Sequence, residues 1–367
     1  MIKYVMKLVA ITLLFLLISE NVNSALDVNC REVSQFITSN ERMYDLQYQV
    51  DNFNLLNNCK KINNPILLEL LGKYYILGIG TANNAELGTE FIIQSAYLGN
   101  SNAKKLFVLL HFDWEYKYKN SLYTEWSKEL IENKDSDIIA ISILDKFNIG
   151  SIDYESANKE LGELDAKAPY VNFALGAINI EEGKLKEAIP YIKKAAKLGV
   201  IEANYMYGMY LRTIKSDIDE ANYYLKRAAS NGHDEALLIV GKDLFSDKGT
   251  NKNNIETAKS YLKSSVENGN FHAANVLAKI YIYQNGYANN LEAEKYLLIA
   301  ARAGLRASKY NLALLYKDNY HENIEPRVSL SKAIYWASQA KVNGYEKAND
   351  LILWLENRLL TLPKDTH

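Results

Sequence analysis

The chain is predicted to be all-α, an α-solenoid of stacked antiparallel helix pairs, about seven to eight units long with a C-terminal capping helix. Three observations predict it. A twelve-residue phrase recurs as "AIPYIKKAAKLG" (188–199), "ANYYLKRAASNG" (221–232), "AKSYLKSSVENG" (258–269), "AEKYLLIAARAG" (293–304) and, more loosely, "AIYWASQAKVNG" (333–344). Its terminal glycines, Gly199, Gly232, Gly269, Gly304 and Gly344, fall 33, 37, 35 and 40 residues apart, the period of a copied supersecondary unit. Small residues such as Ala188, Ala195 and Ala196 sit at helical steps within the phrase. Side chains that short let a neighbouring helix approach closely.

Taken in order, residues 1–24 read as a signal peptide. Lys3 and Lys7 precede an apolar run from Leu8 to Ile18, and Val22 and Ser24 place the cut before Ala25. The run is shorter than the roughly 20 residues a membrane span needs. The chain is therefore expected to be exported, with the periplasm of a Gram-negative bacterium as its compartment and no membrane span once the signal is removed. Residues 25–65 are expected to form an N-terminal helical cap. They hold the only two cysteines, Cys30 and Cys59, whose even number in an exported chain favours a disulfide over two buried thiols.

Residues 66–347 are expected to be the repeat array, degenerate over 104–167. In each unit the phrase is the second helix. Asp217, Asn254, Asn289 and Ser329 stand four residues before its first small residue and are expected to cap its start, with only Lys184 breaking the column. The terminal glycine stops it in a left-handed turn. The next first helix follows, marked by Ala203, Ala236, Ala273, Ser308 and Ala348, then by Gly208, Gly241, Ala278 and Ala313 five residues later. Upstream, "GTEFIIQSAYLG" (88–99) fits the second helix with Asn84 in the cap column, and "LGKYY" (71–75) fits the first. Worn repeats are expected around "YTEWSKELIE" and "ESANKELGEL". Residues 348–367 supply an amphipathic helix and tail that cover the end of the array.

The order Ala-x-x-x-Leu-Gly-x-x-Tyr, then Asp/Asn-x-x-x-Ala-x-x-Tyr-Leu-x-Lys/Arg-Ala-Ala-x-x-Gly, resembles the Sel-one-like repeat family, a relative of the tetratricopeptide repeat. Residues 200–316 carry it best. The resemblance implies an interaction protein in the envelope or an organelle lumen, with an immunity protein that neutralises a secreted toxic effector as one form. An envelope assembly factor and a cell-wall or β-lactam hydrolase are the alternatives it leaves.

Composition narrows the partner. With 48% hydrophobic and 23% charged residues, a formal charge of -2 and a pI near 6.3, the chain is globular and has no basic footprint for nucleic acid. No zinc, nucleophile or phosphate-loop motif occurs, and the five histidines do not cluster, so no catalytic residue, cofactor or metal is expected. A protein or peptide partner remains. First helices line the concave side of such arrays, and positions three before, one after and four after the small residue share the face opposite the packing stripe. The expected groove is Phe173, Tyr205, Met209, Arg212, Leu238, Lys242, Phe245, Asn275, Lys279, Tyr310 and Lys317, a mixture of aromatic anchors and basic groups typical of protein-binding surfaces.

Overall fold

The computed structural model describes residues 53–59, 63–77, 81, 84–113, 121–215, 217–246, 252–318 and 325–362, and all regular structure among them is helical. The signal segment and Cys30 lie outside the described residues. Cys59 is buried in a small cluster with Phe53, Leu56, Leu67 and Leu71. The chain divides into two compact units, Met1–Asn231 and Gly232–His367.

In the first unit five helix pairs follow one another. They are α1 (Pro65–Leu77) with α2 (Ala85–Tyr97), α3 (Ser101–Asp113) with α4 (Ser121–Glu132), α5 (Ser136–Asn148) with α6 (Tyr154–Gly162), α7 (Pro169–Glu181) with α8 (Leu185–Lys197), and α9 (Ile201–Thr213) with α10 (Ile218–Ser230). Partners are antiparallel, as short links require: Ser95 Oγ near the end of α2 donates to the carbonyl of Pro65, the first residue of α1, at 2.5 Å. Successive second helices run the same way. Arg227 Nη1, in the last turn of α10, donates to the carbonyl of Ala196, in the last turn of α8, at 3.2 Å. A basic residue just before the Ala-Ala pair thus meets the negative end of the preceding copy.

The small columns do what their size allows. Ala188, Ala195, Ala196, Ala203, Ala221 and Ala228 are all buried, and a Cβ on Gly208 would come within 2.9 Å of Leu225 Cγ. The terminal glycines adopt left-handed backbone, with φ of 101° at Gly199 and 84° at Gly232, the conformation that ends each helix without a Cβ penalty.

The worn repeats are complete helix pairs. In α3 and α4 the small-residue contact is replaced by aromatic packing: buried Trp126 meets Phe107 edge-on at 4.9 Å and Tyr97 at 5.9 Å. A side chain of that volume fills a seam the alanines would otherwise close, so the phrase vanishes while the pair persists. Asp135 and Asp153 cap α5 and α6 through their side chains.

The second unit holds α11 (Asp234–Ser246) with α12 (Lys252–Glu267), α13 (Phe271–Gln284) with α14 (Tyr287–Arg302), α15 (Arg306–Lys317) with α16 (Pro326–Val342), and a final α17 (Ala348–Thr361). Its second helices run 16, 16 and 17 residues against 13 for α8 and α10, and that extra N-terminal turn absorbs the longer repeat spacings.

The cap column is corrected as a result. Asp217 and Asn84 accept from Glu220 N at 2.8 Å and Leu87 N at 3.0 Å as expected, but Asn254, Asn289 and Ser329 lie inside their lengthened helices. Asn289 donates back to the carbonyl of Asn285, and buried Ser329 donates to the carbonyl of Tyr316 at the end of the paired helix, 2.6 Å away.

Candidate functional site

The expected groove residues fall in two places. Phe173, Tyr205, Met209 and Arg212 belong to the first unit, and Leu238, Lys242, Phe245, Asn275, Lys279, Tyr310 and Lys317 to the second.

In the first unit the expectation fails at Phe173. It is 7% exposed and packs within the core against Tyr170, ring centres 6.2 Å apart. Helix α7 is buried almost all round, from Tyr170 to Gly176 without interruption, because α5, α6 and α8 all pack on it. A helix enclosed on several sides has no free face for the register to select. Tyr205, Met209 and Arg212 on α9 are half-buried. Lys73, at the same register on α1, is held by Glu69 Oε1 at 2.6 Å.

In the second unit the register does select one continuous seam, because it runs where consecutive first helices touch. Asn311 Nδ2 on α15 donates to Asn275 Oδ1 on α13 at 2.8 Å, so Asn275 holds two helices together. Phe245 at the end of α11 meets Tyr283 of α13 edge-on at 5.7 Å. Lys317 on α15 places its ammonium 4.7 Å from the ring centre of Trp354 on α17, and Tyr310 packs on Tyr345 at 4.9 Å. Leu238 is half-buried against the core. Lys242 and Lys279 occupy the same register position on adjacent helices and are both exposed.

Two members of this face escaped the sequence reading. Tyr283, 57% exposed, lies one residue past the register, and Trp354, 47% exposed, stands at the same register position as Lys242 and Lys279 but on the last helix. Extending the column into α17, instead of treating that helix only as a cover, finds Trp354 directly.

The second helices of this unit differ electrostatically. Lys259 pairs with Glu256 at 3.1 Å and sits over the Tyr281 ring, and Lys295 pairs with Glu292 at 3.6 Å over Tyr296. Tyr281 and Tyr296 stack at 5.9 Å, and burial pushes the Tyr296 hydroxyl up to about 12. Tyr316 donates its hydroxyl to Glu294 Oε1. Charges there are matched within the fold. No ion-pair partner is found for Lys242 or Lys279 among the described residues.

Among the described residues no three His, Cys, Asp or Glu side chains converge as a metal site, and no helix is long and apolar enough to cross a membrane. What the seam offers is contact area: aromatic edges, aliphatic side chains and two exposed cations on helices.

The chain matches no family model and no curated protein. Solved structures similar to it are helical-repeat proteins. They include a Sel1 repeat protein from Oxalobacter formigenes (17% identity over 85% of this chain and 96% of that one, TM-score 0.33). Another is the protective antigen c5321 of uropathogenic Escherichia coli (14% identity over 93% and 90%, TM-score 0.36). A third is the immunity protein Pa5087 of Pseudomonas aeruginosa (12% identity over 66% and 82%, TM-score 0.27).

Proposed function

We propose that the protein is an interaction scaffold that holds a protein or peptide partner along the first-helix seam of its second unit. The observation that carries this reading is the row of side chains along the seam, Phe245 against exposed Tyr283 and Lys317 over half-exposed Trp354, with exposed Lys242 and Lys279 at one register position. Aromatic groups on pre-ordered helices lose little side-chain entropy on binding, which suits them as anchors.

Export to the periplasm and neutralisation of a secreted effector complete the proposal, and both rest on the N-terminal sequence and the repeat resemblance. A protein purified from the periplasm with Ala25 as its first residue supports export. Immunity is supported by survival of effector-challenged cells carrying the gene and death of those lacking it.

The seam itself is tested by affinity capture with wild-type protein beside a Lys242→Ala, Lys279→Ala, Tyr283→Ala, Trp354→Ala variant. A partner retained by wild type and lost by a variant of unchanged melting temperature supports the reading. Equal retention by both proteins refutes it.

A further inference from the structure

We propose that Asn285 is a site of spontaneous modification, its carboxamide attacked by the main-chain nitrogen of Gly286 with loss of ammonia, leaving aspartate or isoaspartate. The inference rests on local geometry and is independent of the scaffold reading.

Asn-Gly occurs four times in the chain, at 231–232, 268–269, 285–286 and 343–344, so each asparagine is followed by a residue with no side chain to hinder attack. The fold restrains three of them. Asn231 and Asn343 are helix C-caps with ψ of 18° and 14°. Asn231 Nδ2 donates to the Arg227 carbonyl at 2.7 Å, and Gly232 is buried. Asn343 Oδ1 accepts from Lys309 Nζ at 3.0 Å, and Gly344 N is turned back to the Lys341 carbonyl at 2.8 Å. Asn268 Nδ2 donates to Asp234 Oδ1, and Gly269 N donates to the Val266 carbonyl at 3.0 Å. In these pairs the bonds that close a helix hold the nucleophile, the carboxamide or both.

Asn285, between α13 and α14, has no such restraint. Gly286 N donates to Asn285 Oδ1 at 2.7 Å, so the attacking nitrogen already touches the carboxamide it must attack. Neither Gly286 N nor Asn285 Nδ2, the leaving group, makes another hydrogen bond among the described residues. The backbone of Asn285 has φ 55° and ψ 173°, close to a region that glycine alone occupies readily. A residue held there loses less by moving to the attack geometry than one in a well-formed helix cap. Both residues are exposed, so water and hydroxide reach them.

The reaction needs only solvent. Hydroxide removes the Gly286 N–H proton, and the nitrogen's electron pair bonds to Asn285 Cγ as the carbonyl π pair moves onto Oδ1. That pair returns, the Cγ–Nδ2 bond breaks, and Nδ2 takes a proton from water and departs as ammonia. Water then adds to either carbonyl of the cyclic imide and breaks its bond to nitrogen, giving aspartate or isoaspartate. Holding reacting groups at about 3–3.5 Å removes the entropic part of such a barrier. Either product places a negative charge two residues from exposed Tyr283 and just before α14, whose N-terminal dipole stabilises it.

Purified protein is incubated at neutral and at alkaline pH, and the four sites are followed by peptide mapping with isoaspartyl methyltransferase labelling. Asn285 should convert first, about tenfold faster than Asn231 and Asn268, with Asn343 between them and all rates higher at alkaline pH. In urea, where only the shared Asn-Gly sequence remains, the four rates should converge. Asn285→Gly should abolish the signal at this turn and raise the melting temperature, because glycine takes that backbone without strain. Conversion of Asn285 no faster than the other three in the folded protein overturns the proposal, as does a ranking that persists in urea. Unchanged total labelling of the Asn285→Gly protein places the reaction elsewhere and overturns it too.

Discussion

The Gly72 carbonyl oxygen stands 2.7 Å from where a Cβ on Gly88 would lie, and the Gly88 carbonyl stands 2.8 Å from where one on Gly72 would lie. The two glycines form a reciprocal contact in which α1 and α2 touch backbone to backbone. Either alanine substitution must push one helix off the other, since a carbonyl cannot rotate away as a side chain does. Overpacking of this kind costs about 1–3 kcal/mol. Gly72→Ala and Gly88→Ala should each lower stability in urea unfolding by an amount near the top of that range. The double variant should cost less than their sum, because the first methyl already separates the helices.

A buried charge ties three first helices together. Asp137 on α5 is almost fully buried. Its Oδ2 meets Lys105 Nζ of α3 at 2.5 Å, its Oδ1 accepts from Tyr170 N of α7 at 2.7 Å, and Asp135 Oδ2 lies 3.0 Å from the same ammonium. Burial alone would lower the Lys105 pKa, but hydrogen bonds and attraction from Asp137 and Asp135 outweigh it and raise the pKa above the ordinary lysine value. Removing one partner of a fully buried pair costs about 3–5 kcal/mol, but without Asp137 the part-exposed Lys105 keeps Asp135, and the group left without an acceptor is the Tyr170 N–H. Asp137→Ala should therefore cost about 1–3 kcal/mol, as a buried donor left unsatisfied does, and Asp137→Asn, which still accepts from Tyr170, should lose less. The folded pKa is raised, so the pair's contribution is complete below the ordinary lysine range and fades as pH climbs through the folded value. The gap between wild type and Asp137→Asn in denaturant titrations should therefore narrow at alkaline pH.

Phe173 separates packing from surface. The register that selects exposed Lys242 and Lys279 also selects this buried ring, because a repeat column records position along a helix but not how many neighbours enclose it. Phe173→Ala should cost about 3–5 kcal/mol, as large aromatic truncations do. Lys242→Ala and Lys279→Ala should each stay within about 0.5 kcal/mol of wild type. Thermal unfolding of the three variants decides whether the seam is surface while α7 is core.

The helix pairs were legible because their contacts depend on small residues and left-handed glycines, which few alternatives can replace. Gly199 and Gly232 take the expected backbone, and the alanine columns are buried. Legibility failed where another solution of equal volume existed. Trp126 closes a seam without alanines, and the longer α12, α14 and α16 moved Asn254, Asn289 and Ser329 off their caps. The seam was half legible. Its lysines followed from the register, and Trp354 follows from the same column once Ala348 is used to extend it into α17, but Tyr283 lies one residue past the register and is brought in by its contact with Phe245 of the neighbouring helix, which a single repeat does not encode.

Asp234, the first residue of α11, offers a prediction of opposite sign. Its carboxylate is half-buried, and burial raises its pKa above the ordinary aspartate value even though Asn268 Nδ2 donates to Oδ1 at 2.5 Å and His233 lies nearby. A raised folded pKa means the fold prefers the neutral acid. Ionisation therefore costs stability, with the penalty absent below the unfolded value, appearing as pH rises toward the folded one and constant above it. Asp234→Asn keeps an acceptor for Asn268 and removes the charge. The variant should melt above wild type at pH 7, with the difference shrinking to nothing near pH 3, where both side chains are neutral. A lower melting temperature at pH 7 would mean that the carboxylate's attraction to the helix N-terminus outweighs its desolvation.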